Sequence, residues 1–154
     1  MIMMPSGRVL LAIASLLICA PALARAQDHR MPPADWKGSP KQFDAVLVER
    51  DLMMPTRDGK RMATDIFRPT RNGVPVDDRF PVLLNRSPYG KALLHSQARW
   101  FAERGYVVAV QDTRGRYKSE GVFLKVQPLD ATDSFDAVQW MASQPWSNGS
   151  VAMW

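Results

Sequence analysis

The pattern of hydrophobic and polar positions divides the chain into short strand-like and helix-like stretches. Ala45 to Met54 and Arg61 to Phe67 have the composition of β-strands, and the segment between them contains Asp58-Gly59. This pair readily adopts the positive φ angles of a tight turn. The pattern predicts a β-hairpin.

A strand, a helix and a second strand are predicted next. The apolar run from Phe80 to Leu84 is typical of a buried strand, which is predicted to end at Asn85, and Ser87-Pro88 breaks it. Ala92 to Arg104 is predicted to be an amphipathic helix. Tyr106 to Val110 is uniformly apolar, as expected for a parallel strand that is covered on both faces. The apolar stripe of the helix comprises Leu94, Ala98 and Phe101, and Gly105 suits its C-terminal cap.

The last third of the chain predicts a loop, a second helix and a final strand. The loop runs from Arg116 to about Leu129, and the helix from about Asp130 to Ser143. Ser147-Asn-Gly149 is predicted to be a turn that leads into a strand. The order hairpin, strand, helix, strand, helix, strand indicates an α/β fold with a largely parallel sheet. The predicted apolar stripe of the second helix comprises Ala131, Phe135, Val138 and Ala142.

The first 26 residues have the features of a secretory signal peptide. Arg8 precedes an apolar run from Val9 to Ala20, and small residues at Ala22/Ala24 or Ala24/Ala26 offer two cleavage sites. A membrane anchor is the alternative, but about a dozen apolar residues fall short of the roughly 20 that span a bilayer. We therefore expect a signal peptide over 1–26, an extended Pro-rich leader over 27–44, and a secreted or periplasmic domain over 45–154.

Charge and composition exclude several kinds of function. Without Arg8 and Arg25, the 20 basic side chains become 18 against 15 acidic ones, a net charge of +3 that is too weak and dispersed for a nucleic-acid site. Signal cleavage also removes Cys19, so no disulfide is possible, and no membrane partner is expected afterwards. The sequence contains no G-x-G-x-x-G or Walker A loop, and we expect no cofactor.

Few residues have the position expected of catalytic groups. Tyr89 follows a predicted strand, where α/β enzymes place their chemistry, although it could instead be a loop aromatic that closes over the core. Asp112 and Arg114 follow the next strand; they could line a site or tie loops together as a buried ion pair. His95 is interpreted as a solvated or edge residue of the first helix.

The remaining polar candidates are assigned structural roles. Ser87 and Ser119 are interpreted as turn residues, because neither stands at a strand-to-helix elbow. Asp130, Asp133 and Asp136 could suggest a metal site. Their position in the first turns of a predicted helix is explained by the helix dipole instead, and we expect no metal.

Several separated blocks resemble the opening of one hydrolase group. They are Met54-Pro-Thr-Arg-Asp-Gly59, Asp65-Ile-Phe-Arg-Pro69, Asn85-Arg-Ser-Pro-Tyr89, Gly105-Tyr-Val-Val-Ala-Val110 running into Gln111-Asp-Thr-Arg-Gly115, Ser119-Glu-Gly121, Trp140 and Ser147-Asn-Gly149. Their order over Val46 to Trp154 is similar to that in the X-Pro dipeptidyl-peptidase and cocaine-esterase group of α/β-hydrolases. That group includes the α-amino acid ester hydrolases.

The resemblance implies the N-terminal part of an α/β-hydrolase fold, truncated before its nucleophile elbow. It gives Tyr89 the role of oxyanion-hole donor. The nucleophile would follow Trp154 on a G-x-S-x-G elbow, and the acid and base follow the serine in chain order, so all three are expected beyond this sequence. His29 and His95 come too early to be the base.

The expected function is that of a secreted serine hydrolase, acting on a small-molecule ester or peptide substrate and inactive over these residues alone. The alternative is a non-catalytic secreted binding module or hydrolase relic. The sequence leaves open whether peptides, β-lactam-type amides or simple esters are the substrate. It also leaves the oligomeric state open.

Overall fold

Six strands and two α-helices make up the described part of the chain. The computed structural model describes residues 38–124 and 129–154, so the predicted signal peptide and the start of the leader lie outside it. The strands are β1 (Ala45–Pro55), β2 (Arg61–Arg71), β3 (Val74–Pro75), β4 (Phe80–Ser87), β5 (Val107–Asp112) and β6 (Ser147–Met153). The helices are α1 (His95–Ala102), which follows a 3₁₀ turn over Lys91–Leu94, and α2 (Asp130–Ala142).

All six strands belong to one mixed sheet in the order β1-β2-β5-β4-β6, with β3 paired to β2. The pairs β1/β2 and β2/β5 are antiparallel, whereas β5/β4 and β4/β6 are parallel. The prediction of an antiparallel hairpin leading into a parallel sheet is confirmed. The sequence missed the two-residue β3, so the strand predicted to be third is the fourth.

The hairpin turn has the expected chemistry. Pro55 pairs with Arg61 across it, and the Thr56 N–H donates to the Lys60 carbonyl oxygen at 2.8 Å. Asp58 accepts from the Thr56 hydroxyl at 2.7 Å, and Gly59 has φ of 80°. Asp58-Gly59 therefore forms the tight turn that the sequence predicted.

Strand β5 lies in the middle of the sheet and separates two hydrophobic clusters. All six of its residues are buried, which confirms the prediction of a strand covered on both faces. Val107 and Ala109 pack on the α2 side, whereas Val108 and Val110 pack on the α1 side. The α2 side includes Met54, Met62, Ile66, Leu84 and Met141, and the α1 side includes Phe67, Ala98 and Ala102.

Helix α1 presents the stripe that the sequence predicted. Ala98 is fully buried, and Leu94 and Phe101 pack against the same cluster. The predicted helix over 92–104 is shorter in the structure because its first turn is 3₁₀. Gly105, with φ of 93°, ends the segment as expected.

The predicted apolar stripe of α2 is only partly correct, because Val138 packs against the core but Phe135 does not. The buried residues of this helix are Asp133, Ala137 and Met141, whereas Phe135 is 57% exposed. The physical reason is an ion pair: Arg114 holds the Asp133 carboxylate inside the protein and thereby sets the rotation of the helix. Phe135 lies under the guanidinium of Arg57, 5.3 Å from its ring centre.

Two chain segments differ from the predictions in smaller ways. Strand β6 begins at Ser147, within the predicted turn, and its register against β4 shifts between Phe80 and Val82. The positive φ of Gly149 accommodates that irregularity. At the described end of the predicted leader, Phe43 is buried edge-on against Phe80.

Within 38–124 and 129–154, no helix is long and apolar enough to cross a membrane.

Candidate active site

The carboxyl ends of β4 and β5 lie side by side and open onto a cavity. Ser87 and Asp112, the last residues of these parallel strands, are partners in the sheet register. The cavity has a volume of about 560 Å³. Parallel strands point their carboxyl ends at one edge of the sheet, where α/β proteins bind ligands. The lining residues are Arg50, Asp51, Asp65, Tyr89, Gly90, Lys91, Ala92, Leu93, His95, Asp112, Tyr117 and Lys118.

Tyr89 lies at this cavity with its ring largely in solvent. It is 74% exposed, so it does not close over the core as a loop aromatic would. Its N–H donates to the Ser87 hydroxyl at 3.1 Å, and no hydrogen bond joins its phenol to any described residue. The hydroxyl is thus available as a hydrogen-bond donor at the cavity. Its assignment to the oxyanion hole stays a prediction.

Lys91 forms the charged floor of the cavity. Its side chain is 9% exposed, and its ammonium lies 2.8 Å from Asp51, 3.4 Å from Asp65 and 3.6 Å from Asp112. Burial lowers the Lys91 pKa, but the Asp51 hydrogen bond and the three negative charges outweigh this and leave the pKa raised. Lys91 is therefore a fixed positive charge at neutral pH and cannot serve as a nucleophile or general base.

A β-bulge directs Asp51 into the cavity. The register of β1 against β2 shifts between Glu49 and Leu52, and Asp51 has φ of 55°. Hydrogen bonds from Lys118 and then Lys91 lower the pKa of the Asp51 carboxyl to about 2. Asp51 consequently remains ionised down to acidic pH and bridges the two ammonium groups.

The structure pairs His95 with Asp65, which sequence reasoning missed. The His95 Nε2 lies 2.8 Å from Asp65 Oδ2, and Asp65 Oδ1 accepts from the Asp51 N–H at 2.8 Å. His95 is half-buried and its ring meets Phe67 edge-on, which matches the edge alternative of the prediction and not a fully solvated side chain. The available signal was Asp65 itself, a carboxylate within a buried strand, which needs a partner.

The structure separates the two residues predicted to follow β5. Asp112 lines the cavity and accepts a hydrogen bond from the Lys91 N–H at 2.8 Å. Arg114 is not among the lining residues. Its guanidinium binds Asp133 at 2.6 and 2.8 Å and Asp58 at 2.9 and 3.1 Å. These contacts match the alternative interpretation, in which the segment ties loops together.

Each carboxylate at the start of α2 has an arginine partner. Asp133 binds Arg114, Asp136 binds Arg57 at 2.6 Å and Asp130 binds Arg86 at 2.7 Å. Hydrogen bonding to Arg57 lowers the pKa of Asp136. Within the described ranges, no cluster of three His, Cys, Asp or Glu residues could hold a metal ion. The three aspartates thus attach the helix to the hairpin and to the ends of β4 and β5.

Ser87 and Ser119 have structural hydrogen bonds. Ser87 accepts from the Tyr89 N–H. The Ser119 hydroxyl is buried, donates to the Asp112 carbonyl oxygen at 2.6 Å and accepts from the Ala63 N–H at 2.9 Å. Both residues therefore support the loops around the cavity.

Comparison with known proteins identifies a family. The model for X-Pro dipeptidyl-peptidase (S15 family) matches residues 58–154. Cocaine esterase from Rhodococcus sp. (strain MB1 Bresler) is 41% identical over 112 residues, which cover 69% of this chain and 18% of the esterase. A putative serine esterase from Mycobacterium tuberculosis is 30% identical over 145 residues, covering 77% of this chain and 23% of that protein.

Solved structures with the same fold belong to related hydrolases. A CocE/NonD family hydrolase from Staphylococcus aureus has a TM-score of 0.59 and 28% identity, covering 70% of this chain and 22% of that one. An α-amino acid ester hydrolase has a TM-score of 0.57 and 27% identity, covering 80% and 24% respectively.

The sequence and structural matches agree, and both extend over a limited part of the relatives. The chain spans about a fifth of the length of the curated relatives that it matches. Its mixed sheet and flanking helices match the α/β-hydrolase architecture of the structural relatives. The chain belongs to the X-Pro dipeptidyl-peptidase (S15) family of hydrolases, the group that includes the CocE/NonD enzymes.

Proposed function

We propose that this chain is the N-terminal part of a secreted serine hydrolase and contributes one half of its oxyanion hole. The observation that supports the proposal is the position of Tyr89. Its phenol is solvent-accessible and unbonded at a cavity on the carboxyl edge of the sheet, directly after β4. In α/β-hydrolases the loop after the third strand supplies one oxyanion donor, commonly a backbone N–H, and we propose the Tyr89 hydroxyl for that role here.

The proposed chemistry is acyl transfer through a covalent intermediate. A serine beyond residue 154 attacks the carbonyl carbon of the substrate, and a histidine accepts the serine proton. The carbonyl oxygen becomes an alkoxide, which receives a hydrogen bond from the Tyr89 hydroxyl. The same histidine then protonates the leaving alcohol or amine, and water hydrolyses the acyl-enzyme.

Tyr89 would act through electrostatic stabilisation that is already in place before reaction. The second donor would be the backbone N–H of the residue after the serine. Removing one oxyanion donor typically lowers kcat by about 10²–10³-fold. The rest of the cavity floor, Lys91 with Asp51 and Asp112, holds the loop that carries Tyr89 and leaves its phenol free.

The proposed substrates are small-molecule esters or amides, including peptides. The relatives bear names that refer to cocaine, to serine-dependent ester cleavage, to α-amino acid esters and to X-Pro peptides. The esters and peptides in these names share one bond type, in which an acyl group is joined to the oxygen of an alcohol or the nitrogen of an amine. We further propose that the protein is secreted or periplasmic, because residues 1–26 have the sequence of a signal peptide.

The gene sequence provides the first test. We expect the reading frame to continue past codon 154 with a G-x-S-x-G segment, followed by the acid and the histidine. A stop codon there, with no continuing frame, would overturn the proposal and support a non-catalytic secreted module instead.

The second test is ester hydrolysis by the complete protein carrying Tyr89→Phe. The variant removes one hydroxyl from an exposed ring, so we expect an unchanged fold and a loss of kcat of about 10²-fold. Tyr106→Phe is the matched control, because Tyr106 lies edge-on to Phe101 at the opposite end of β5. A Tyr89→Phe enzyme with full activity would refute the oxyanion assignment.

A further inference from the structure

Two residues of the loop between β5 and α2 hold the backbone of the Tyr89 loop. The Tyr117 hydroxyl donates to the carbonyl oxygen of Tyr89 at 2.7 Å. The Arg116 Nε donates to the carbonyl oxygen of Pro88 at 2.8 Å. The two peptide groups on either side of the Tyr89 Cα are thus fixed by one neighbouring segment.

The Tyr117 ring also packs directly against Gly90. A Cβ placed on Gly90 would lie 3.0 Å from a ring carbon of Tyr117, and Gly90 has φ of 102°. The backbone angle strains any residue other than glycine here, and the Tyr117 ring would have to shift slightly to admit a Cβ. The ring of Tyr117 therefore occupies the space next to the Gly90 Cα and restricts the movement of the Tyr89 loop.

Tyr117 itself has a strained backbone. Its φ is 46°, in the left-handed region that a residue with a bulky side chain rarely adopts. Flanking hydrogen bonds hold it there: the Arg116 N–H donates to the Thr113 carbonyl oxygen at 3.0 Å, and the Ser119 N–H donates to the Arg116 carbonyl oxygen at 2.9 Å. Strain of this kind concentrates at functional sites, where the surrounding structure enforces it.

Burial does not explain this arrangement. Tyr117 is 64% exposed and lines the cavity beside Tyr89, so its ring adds little to the core. On the far side of the loop, the Lys91 N–H is fixed by Asp112. We infer that Arg116 and Tyr117 are positioning residues that set the direction of the Tyr89 phenol through the peptide groups of Pro88 and Tyr89.

This inference rests on the proposed oxyanion role, and a double-mutant cycle in the complete protein tests it. Tyr117→Phe removes the hydroxyl that binds the Tyr89 carbonyl and keeps the ring against Gly90. We expect kcat for ester hydrolysis to fall by about 3–10-fold, the effect of one hydrogen bond, with KM unchanged. In a Tyr89→Phe background, the same substitution should cause no further loss. Tyr106→Phe again serves as the control and should retain full activity.

A general structural role for Tyr117 predicts a different result. Tyr117→Phe would then lower activity by the same factor whether or not the Tyr89 hydroxyl is present. That result, or an unchanged kcat when Tyr117→Phe is made in the enzyme that retains Tyr89, would overturn the inference.

Amide hydrogen exchange separates this inference from the proposed function. Tyr117→Phe should accelerate exchange of the Tyr89 and Lys91 amides, whereas Tyr106→Phe should not. If Tyr89→Phe alone retains full activity, the oxyanion role fails. In that case faster exchange at these two amides still supports positioning of the loop by Tyr117, and unchanged exchange refutes it.

Discussion

Breaking the buried ion pair between Arg114 and Asp133, which docks α2, should destabilise the described domain strongly. Arg114 binds two carboxylates with similar geometry but very different burial: Asp133 is 2% exposed, whereas Asp58 is 43% exposed. Hydrogen bonding to Asp133, and secondarily to Asp58, raises the Arg114 pKa, so the guanidinium stays charged in every variant. The two aspartates are therefore a matched pair of substitution sites.

Asp133→Asn should destabilise the protein strongly. The substitution leaves the buried Arg114 guanidinium with Asp58 as its charged partner. It also removes the negative charge that lies 3.8 Å from Arg86 Nη2, an atom that has no hydrogen-bond partner among the described residues. Breaking a buried pair costs about 3–5 kcal/mol. Because the amide oxygen of the new asparagine can still accept a hydrogen bond from Arg114, we expect a cost at the lower end, about 3 kcal/mol. Asp58→Asn should cost much less, because the Asp58 carboxylate is 43% exposed and water can replace it.

Thermal unfolding of the complete protein, followed by circular dichroism, measures the difference. About 3 kcal/mol corresponds to a fall in Tm of roughly 6–12 °C for a unit of 150–250 residues, and the fall for Asp58→Asn should be clearly smaller. If both variants lower Tm equally, or Asp133→Asn lowers it less, burial does not determine the strength of the pair and the reasoning is wrong.

Two further predictions concern the backbone and acid pH. In chemical unfolding, Gly115→Ala should lower the free energy of unfolding by at least about 2 kcal/mol more than Gly59→Ala does. A Cβ on Gly115 would lie 2.1 Å from the Phe123 nitrogen, whereas one on Gly59 would meet open space. Equal effects of the two substitutions would contradict this. Asp51, whose folded pKa is about 2 against 3.8 when unfolded, contributes stability above pH 3.8 that is lost as pH falls toward 2. After allowance for its partial exposure, Asp51→Asn should cost about 1 kcal/mol at pH 7 and little at pH 2, and a cost that is constant with pH would rule the mechanism out.

The parts of the fold that could be predicted are those determined by local pattern. Asp58-Gly59 specifies the hairpin turn, and the uniformly apolar run before Gln111 specifies a strand that is buried on both faces. The position of Tyr89 also followed from local signals, because Pro88 directly follows the last residue of the strand. In each case the deciding residues are neighbours in sequence.

The missed features depend on contacts between distant segments. His95 has an ordinary helical context, and only the fold brings Asp65 within 2.8 Å of it. The rotation of α2 was predicted from its apolar residues, but the ion pair of Asp133 with Arg114 outweighed the burial of Phe135. Tyr117 lies in a loop with no periodic pattern, so its hydrogen bond to Tyr89 could not be predicted from sequence.

The hydrogen bonds that hold the Tyr89 loop are all formed within one stretch of the chain. They join residues 28 positions apart for Tyr117 and Tyr89, 21 apart for Asp112 and Lys91, and 40 apart for Asp51 and Lys91. Closing loops of this length costs little more entropy than closing much shorter ones. All the partners in these hydrogen bonds lie between Asp51 and Tyr117, so the shape of the Tyr89 loop is set by contacts within that range.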